Sequence, residues 1–465
     1  MAVAPRVRQN LFKYSATIGL HAPGPLAAGP SLTMPESSDA AQSGLDRTRV
    51  AIIALLCGFS TVSYFDRTII SIAGPTLMKE FGLSPMQMGS IYSAFILGYA
   101  LVMIPGGHLT DRWGGRLTLA FMGVMSGAFT ALIVFGGRPG LGTFLGVVPA
   151  LFAIRLGLGM VTAPLYPACA RITANWIPIV HRAWVQGLII AGSSLGAAIS
   201  PVLFAWMLFH FQWRVSFLLA ATISAALGAS WYVYARDSPP EPRQSMPGRV
   251  TSGGRARWMK LFANRNLMLL TYAYSTLGYF QYIFFYWIYY YFGEVRHLGA
   301  QSSAKYTTIL FLTEGAILPL EGLLSDRLTR RYGAQFGRRM VPMGGLVLSA
   351  MFTYAGTVID GIPGAAFCLT LAFGLSASCE GPFWAAVTEM AGDQVGGASS
   401  ILNLGPQIAG MFAPVVTPYI ASRAGWSWGL YTGSLIALSG VVAIYFADVR
   451  PQSAEGRVGL SPESE

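Results

Sequence analysis

Asp66, Arg67 and Arg155 stand inside apolar stretches, and so do Glu314 and Glu380, with Glu321 nearer the end of its stretch. A charge at the centre of a bilayer costs on the order of 3 kcal/mol on insertion scales, so such residues mark function by default. Neighbours on a helix point about 100° apart, so Asp66 and Arg67 cannot both face one partner. The economical arrangement pairs Asp66 with Arg155. It leaves the Arg67 guanidinium facing a cavity, where a carboxylate in two-point contact is its preferred partner. The chemistry expected is recognition of an anionic solute. The competing reading is a salt bridge that only packs, although an apolar pair is usually less costly there.

The acids suggest a driving force. A carboxyl withdrawn from water can bind and release a proton near neutral pH. Asp66, Glu314 and Glu380 are therefore candidates for coupling solute movement to protons, each with a structural alternative. Glu321, nearer the end of its segment, reads as structural. The run Tyr279–Tyr291 is rich in aromatic residues. It is either an interfacial belt or, through Tyr282 and Tyr286 at i and i+4, a source of hydroxyls turned toward sugar-like groups.

These residues need elements to hold them, and the composition says which. Of 465 residues, 53% are hydrophobic and 11% charged, against about 25% charged in soluble proteins. Most side chains therefore face lipid. The net charge of +11 reads as basic residues gathered in cytoplasmic loops rather than as a nucleic-acid surface. Cys57, Cys169, Cys368 and Cys379 all fall in apolar segments, so no disulfide framework is expected. The histidines are scattered without metal-ligand spacing, and no metal or cofactor is expected. No nucleophile–base pair or phosphate loop points to an enzyme.

A helix crosses the hydrocarbon core with about 20 apolar residues. Roughly twelve such segments are predicted: 48–72, 87–107, 117–136, 145–171, 184–208, 214–235, 267–292, 306–325, 341–359, 363–388, 397–421 and 426–447. The fold class is an all-α membrane protein with two pseudo-symmetric six-helix halves, 46–235 and 267–448. Between them lies a basic, Pro-rich linker, 236–266, whose last part from about Arg255 could form a surface helix. Residues 1–45 and 449–465 read as disordered tails. The first of them superficially resembles a transit peptide, and Met34 is an alternative start. Of the 31 Lys and Arg residues, about 23 fall in the tails and even-numbered loops and about 6 on the opposite side. Both termini are therefore expected in the cytoplasm, at a bacterial inner membrane. Gly123-x-x-x-Gly127 and Gly192-x-x-x-Gly196 are expected to let helices approach closely.

One element occurs twice. Gly107-His-Leu-Thr-Asp111-Arg112-Trp-Gly-Gly-Arg116 and Gly322-Leu-Leu-Ser-Asp326-Arg327 lie 322 − 107 = 215 residues apart, close to half the chain, each after an apolar segment. It resembles the loop signature of the major facilitator superfamily. Tyr64-Phe65-Asp66-Arg67 with 69–75, Ser93-Ala94-Phe95 with Tyr99 and Pro105-Gly106-Gly107, Gly381–Ala385, and Asn403 with Gly405, Gly410 and Pro414 narrow the likeness. They resemble the anion:cation symporters, over about residues 48–447.

The resemblance implies a secondary active transporter that moves a small organic anion, such as a sugar acid, by proton symport and alternating access. It implies that Arg67 binds the substrate carboxylate and that Tyr99, Asn403 and a residue near Ser193 contact the substrate. Asp66 and Arg155 would take part in proton coupling. Gly107, Asp111, Arg112, Arg116, Asp326 and Arg327 would form a cytoplasmic gate, with Asp111 near a helix N-terminus that favours an acid. The carrier is expected to work as a monomer. The sequence departs from the pattern at Thr162, where the family usually has a glutamate seven residues after the arginine, and at Ser193, which has a shorter reach. Either Glu380 or Glu314 replaces the lost acid, or Asp66 suffices, or protons do not drive transport. Proton-coupled efflux of a drug or metabolite is the alternative, disfavoured because 192–201 lacks an adjacent Gly-Pro.

Overall fold

The computed structural model describes residues 46–136, 146–239, 255–391 and 395–450. The expected disorder of 1–45 and 451–465 and most of the linker's Pro-rich part lie outside the described residues; at the start of the expected C-terminal tail Val449 is instead buried, its N–H donating to Gln335 Oε1 at 2.8 Å. All regular elements among the described residues are helices: α1 (Arg47–Phe81), α2 (Pro85–Leu132), α3 (Val147–Thr162), α4 (Leu165–Trp176), α5 (Ile179–His210), α6 (Trp213–Tyr234), α7 (Arg255–Ala263), α8 (Arg265–Tyr290), α9 (Gly299–Tyr332), α10 (Ala334–Val358), α11 (Ile362–Ser376), α12 (Glu380–Met390), α13 (Val395–Gly410), α14 (Ala413–Ala424) and α15 (Trp426–Phe446).

Among the described residues nine helical segments are long and apolar enough to cross a membrane. One of them, Pro85–Phe135, holds two of the predicted spans. Two predicted spans are absent from the nine for physical reasons. The tyrosines of α8 lower its hydropathy, and the span at 397–421 is broken into α13 and α14, with Pro406 and Pro414 beside the break. Membrane helices accept such breaks because neighbours re-satisfy the backbone. The spans predicted at 145–171 and 363–388 are likewise broken, at Ala163–Pro164 and by a 3-10 turn over Ala377–Cys379. The short helix expected from about Arg255 is α7.

Local sequence explains where helices begin. Asp46 accepts from the Arg49 N–H at 2.8 Å. Ser84 and Gln87 form a reciprocal capping box ahead of Pro85, which satisfies donors the helix start leaves open. At the repeated element α2 turns at Gly114 (φ 83°, ψ 161°), and α9 gives way to α10 at Gly333 (φ 88°, ψ 160°). Only glycine adopts this backbone without strain. The two halves thus turn their corners in the same way, although the second runs four residues further past its Asp-Arg (114 − 111 = 3; 333 − 326 = 7).

Packing repeats as well: α1 packs on α5, and α8 on α13. The small-residue motifs sit in the α1–α5 and α2–α6 seams. A Cβ on Gly196 would lie 2.1 Å from the Thr61 carbonyl oxygen, and one on Gly123 2.6 Å from Gly228 Cα. The halves meet through α5 with α9 and through α2 with α13 and α14. Thr308 Oγ1 donates across to the Ala198 carbonyl at 2.8 Å. At the end remote from the repeated element the contact is tight: a Cβ on Gly89 would fall 2.0 Å from the Pro414 carbonyl oxygen. At the other end, Cβ atoms on Gly107 and Gly322 would meet nothing within 4 Å.

Candidate functional site

The buried charges converge at the middle of the bundle. Arg155 from α3 is fully buried and reaches α1, where Nη1 donates to the Asp66 carbonyl at 3.3 Å and Nη2 to the Arg67 carbonyl at 3.2 Å. The expected pairing of the Asp66 carboxylate with Arg155 is not what forms. The Asp66 carboxylate accepts instead from Ser224 of α6, and its other oxygen has no protein partner. The physical reason is angular: Arg155 meets α1 where the Asp66 and Arg67 carbonyls are within reach, while the Asp66 side chain points toward α6.

Arg67 is buried inside a cage of rings. Its guanidinium carbon lies 5.0 Å from the Tyr282 centroid, 5.1 Å from Phe95, 5.4 Å from Tyr64, 5.6 Å from Phe285 and 5.9 Å from Tyr99. Its Nη2 donates to the Tyr282 hydroxyl, and that hydroxyl donates to Gln407 Oε1 at 2.9 Å. Arg67 Nε and Arg155 Nε have no partner. Cation–π contacts are worth about 2 kcal/mol when desolvated, whereas burying an ion costs several kcal/mol. Five rings offset much of that cost, but they carry no net negative charge, so the guanidinium keeps its full positive charge. Neither guanidinium forms an ion pair with the buried Asp66 carboxylate among the described residues.

Across from Arg67 the second half supplies acids with neutral partners. Tyr274 donates to Glu380, and Trp384 Nε1 donates to Tyr274 at 3.3 Å. Gln281 Nε2 donates to Glu314 Oε1 at 3.4 Å. Glu314 lies within electrostatic range of Glu380. Glu321 is buried with one oxygen unpartnered. Tyr64, Tyr99, Gln281, Glu314, Glu380 and Gln407 are all half-buried, so the two walls face accessible space.

The other expected residues fall at varied distances from this centre. Tyr286 is fully buried, stacked on Tyr92 at 4.9 Å, with its hydroxyl unpartnered. Asn403 turns to α2, where Nδ2 approaches Met103 Sδ at 3.6 Å. Ser193 bonds back to its own helix at the Ile190 carbonyl, 2.6 Å away, beside Tyr166. Thr162 likewise bonds to the Leu158 carbonyl at 2.9 Å. A cleft of about 310 Å³ at the opposite end, lined in part by Ile72, Pro75, Tyr289 and Glu294, contains none of the expected site residues.

The repeated element differs between the halves. Asp111 pairs with Arg171 at 3.2 Å, both well exposed. Arg116 stacks on Tyr232 at 4.7 Å, and its backbone N–H donates to Asp237 at 2.9 Å. In the second half Arg338, only 10% exposed, binds both Asp326 at 2.6 Å and Glu389 at 2.9 Å. Arg112 and Arg327 are exposed.

Sequence reasoning missed Ser224, Gln281, Gln407, Arg338 and Glu389. Gln407 carried a signal, being one helical turn from Asn403. Gln281 adjoins Tyr282 and shares its wall. Ser224 and Arg338 gave none, because a lone serine in a span and an arginine at a span's edge are ordinary there.

The family model "Major Facilitator Superfamily" matches residues 56–335 and 308–462. The chain is similar to the "Probable sulfoacetate transporter SauU" of Cupriavidus necator, 26% identical over 86% of this chain and 94% of the relative. It is 28% identical to the hexuronate transporter of Bacillus subtilis, over 87% and 95%. Its fold matches the crystal structure of a bacterial homolog of the human lysosomal transporter Spinster, with TM-score 0.69, 17% identity and coverage of 87% and 96%. With its repeated loop element and a family model that matches most of its length, this chain belongs to the Major Facilitator Superfamily.

Proposed function

We propose that this protein carries a small organic anion, a sugar acid or another compact carboxylate or sulfonate, across a bacterial inner membrane by proton symport. The carrying observation is the Arg67 guanidinium: it is buried, makes no ion pair among the described residues, and ends in a ring cage with one neutral hydrogen-bond partner, the Tyr282 hydroxyl. A bound anion supplies the missing charge in two-point contact. Relatives named for hexuronate and sulfoacetate support this class.

Tyr64, Tyr99 and Tyr286 would shape the pocket, and Gln281 would meet the polar end of the solute. Asn403 and Ser193, which bond elsewhere in this form, would enter only if their helices turned. Glu380 and Glu314 have no cation to balance them, so protons are the natural counter-charge. Thr162 cannot titrate, and these acids with Asp66 take the coupling role. The tight contact at Gly89–Pro414 and the open space at Gly107 and Gly322 fit an inward-facing carrier. In that state Asp111, Arg112, Arg116, Asp326 and Arg327 mark the cytoplasmic rim. The excess of basic residues in the tails and even-numbered loops favours cytoplasmic termini. No residue here is asked to break a covalent bond, so the protein is a carrier rather than an enzyme, and one chain contains the whole site.

The test is uptake into proteoliposomes of labelled D-glucuronate, D-galactonate, D-glucarate, sulfoacetate, benzoate and succinate, with and without an inward proton gradient. Gradient-stimulated accumulation of one class is the expected result. Movement of neutral or cationic solutes with none of these anions would overturn the reading.

A further inference from the structure

Tyr282 occupies the position where an anion is expected. Its oxygen accepts from Arg67 and its proton goes to Gln407 Oε1 at 2.9 Å. The chain of bonds runs from α1 to α8 to α13, so it crosses from one half to the other. Gln407 fixes its direction. An amide oxygen only accepts, so the phenol hydrogen is held away from the guanidinium and a lone pair is turned toward it. The phenol is nevertheless a poor match. A guanidinium offers five N–H donors, and Arg67 Nε finds no partner. A carboxylate brings two oxygens and a full charge to the same donors.

We propose that Tyr282, oriented by Gln407, is the internal occupant of the Arg67 site in the empty carrier: it holds the guanidinium when no substrate is present and gives way to the substrate anion. This rests on the reading of Arg67 as the anion site. A symporter must return empty after each delivery. Without Tyr282 the return step would move an arginine that has only ring faces around it. With Tyr282, the empty form has a neutral partner from the opposite half. Tyr282 is then a competitor of the substrate and a positioning residue for Arg67, and Gln407 positions Tyr282.

The experiment compares two transport modes in proteoliposomes of the full chain, using the panel anion that the wild type accumulates. Net gradient-driven uptake needs the empty return. Exchange against saturating unlabelled anion on both sides does not. Losing one hydrogen bond to a charged group corresponds to roughly a tenfold change in rate. Tyr282→Phe and Gln407→Leu should lower net uptake about tenfold and exchange much less, and should lower the half-saturating concentration for exchange because a competitor is gone. If Tyr282→Phe fails to fold, Gln407→Leu carries the same comparison. A parallel loss of both modes with a raised half-saturating concentration would make Tyr282 a substrate ligand and overturn the proposal. Unchanged ratios in both variants would overturn it too. A wild type that moves none of the anions refutes the anion site itself, a distinct outcome.

Discussion

Arg155 grips the backbone of Asp66 and leaves its carboxylate to Ser224. The arginine therefore fixes where α1 places Arg67 without neutralising the acid beside it. Asp66 is free to change protonation without releasing α3 from α1. Asp66→Asn keeps a hydrogen-bonding group toward Ser224, so it should fold, retain anion exchange and lose stimulation by a proton gradient. Gradient-driven accumulation at the wild-type level would remove Asp66 from the coupling route. Ser224→Ala should be milder, costing about 1 kcal/mol of stability, read as a shift in the thermal melt.

Arg67→Ala removes the cation without opening a polar hole, since its partners are rings and one phenol. Uptake should fall at least about a hundredfold, as for loss of a charge-assisted two-point contact, with the melting temperature within a few degrees of wild type. Arg67→Lys should not rescue, because an ammonium lacks the fork geometry. Unimpaired uptake in either variant would end the carboxylate-clamp reading.

Glu380 is held by a tyrosine that a tryptophan orients. Glu380→Gln preserves shape and acceptor and removes only the titration. Substrate should then equilibrate across the membrane but no longer follow the pH gradient. Full gradient-driven accumulation by this variant would make Glu380 structural.

Arg338 and Arg171 make corresponding contacts at unequal depth. Arg338, 10% exposed, joins Asp326 and Glu389, whereas the Arg171–Asp111 pair is 37% and 64% exposed. Exposed pairs contribute about 0–1 kcal/mol, while breaking a buried pair costs about 3–5 kcal/mol. Arg338→Ala should lower the melting temperature clearly, at the reduced end of that range because Asp326 is half in water. Arg171→Ala should be nearly silent. Equal effects would show that burial does not set the difference.

Most of the architecture was legible because lipid imposes a coarse rule: long apolar runs must be helices. The repeat at Gly107 and Gly322 and the charges at 66, 67, 155, 314 and 380 could be read for the same reason, each being costly where it stands. What the sequence hid is angular. Nothing in the order Asp66-Arg67 tells which flank of α1 Arg155 approaches, so the carbonyl grip could not be foreseen. Breaks at Ala163–Pro164 and Ala377–Cys379 were obscured because prolines and glycines are frequent throughout these spans. Gln407 and Gln281 were passed over because an uncharged amide costs little in a bundle, so only their places beside Asn403 and Tyr282 could have marked them.

The rings around Arg67 come from both halves, Tyr64, Phe95 and Tyr99 from one and Tyr282 and Phe285 from the other. Any rocking of one half against the other must change the dielectric and the ionic neighbour seen by three tyrosine chromophores at once. The molecule thus contains its own optical reporter. Tyrosine ultraviolet difference absorbance should follow occupancy of the centre in unlabelled protein, with neither dye nor engineered cysteine.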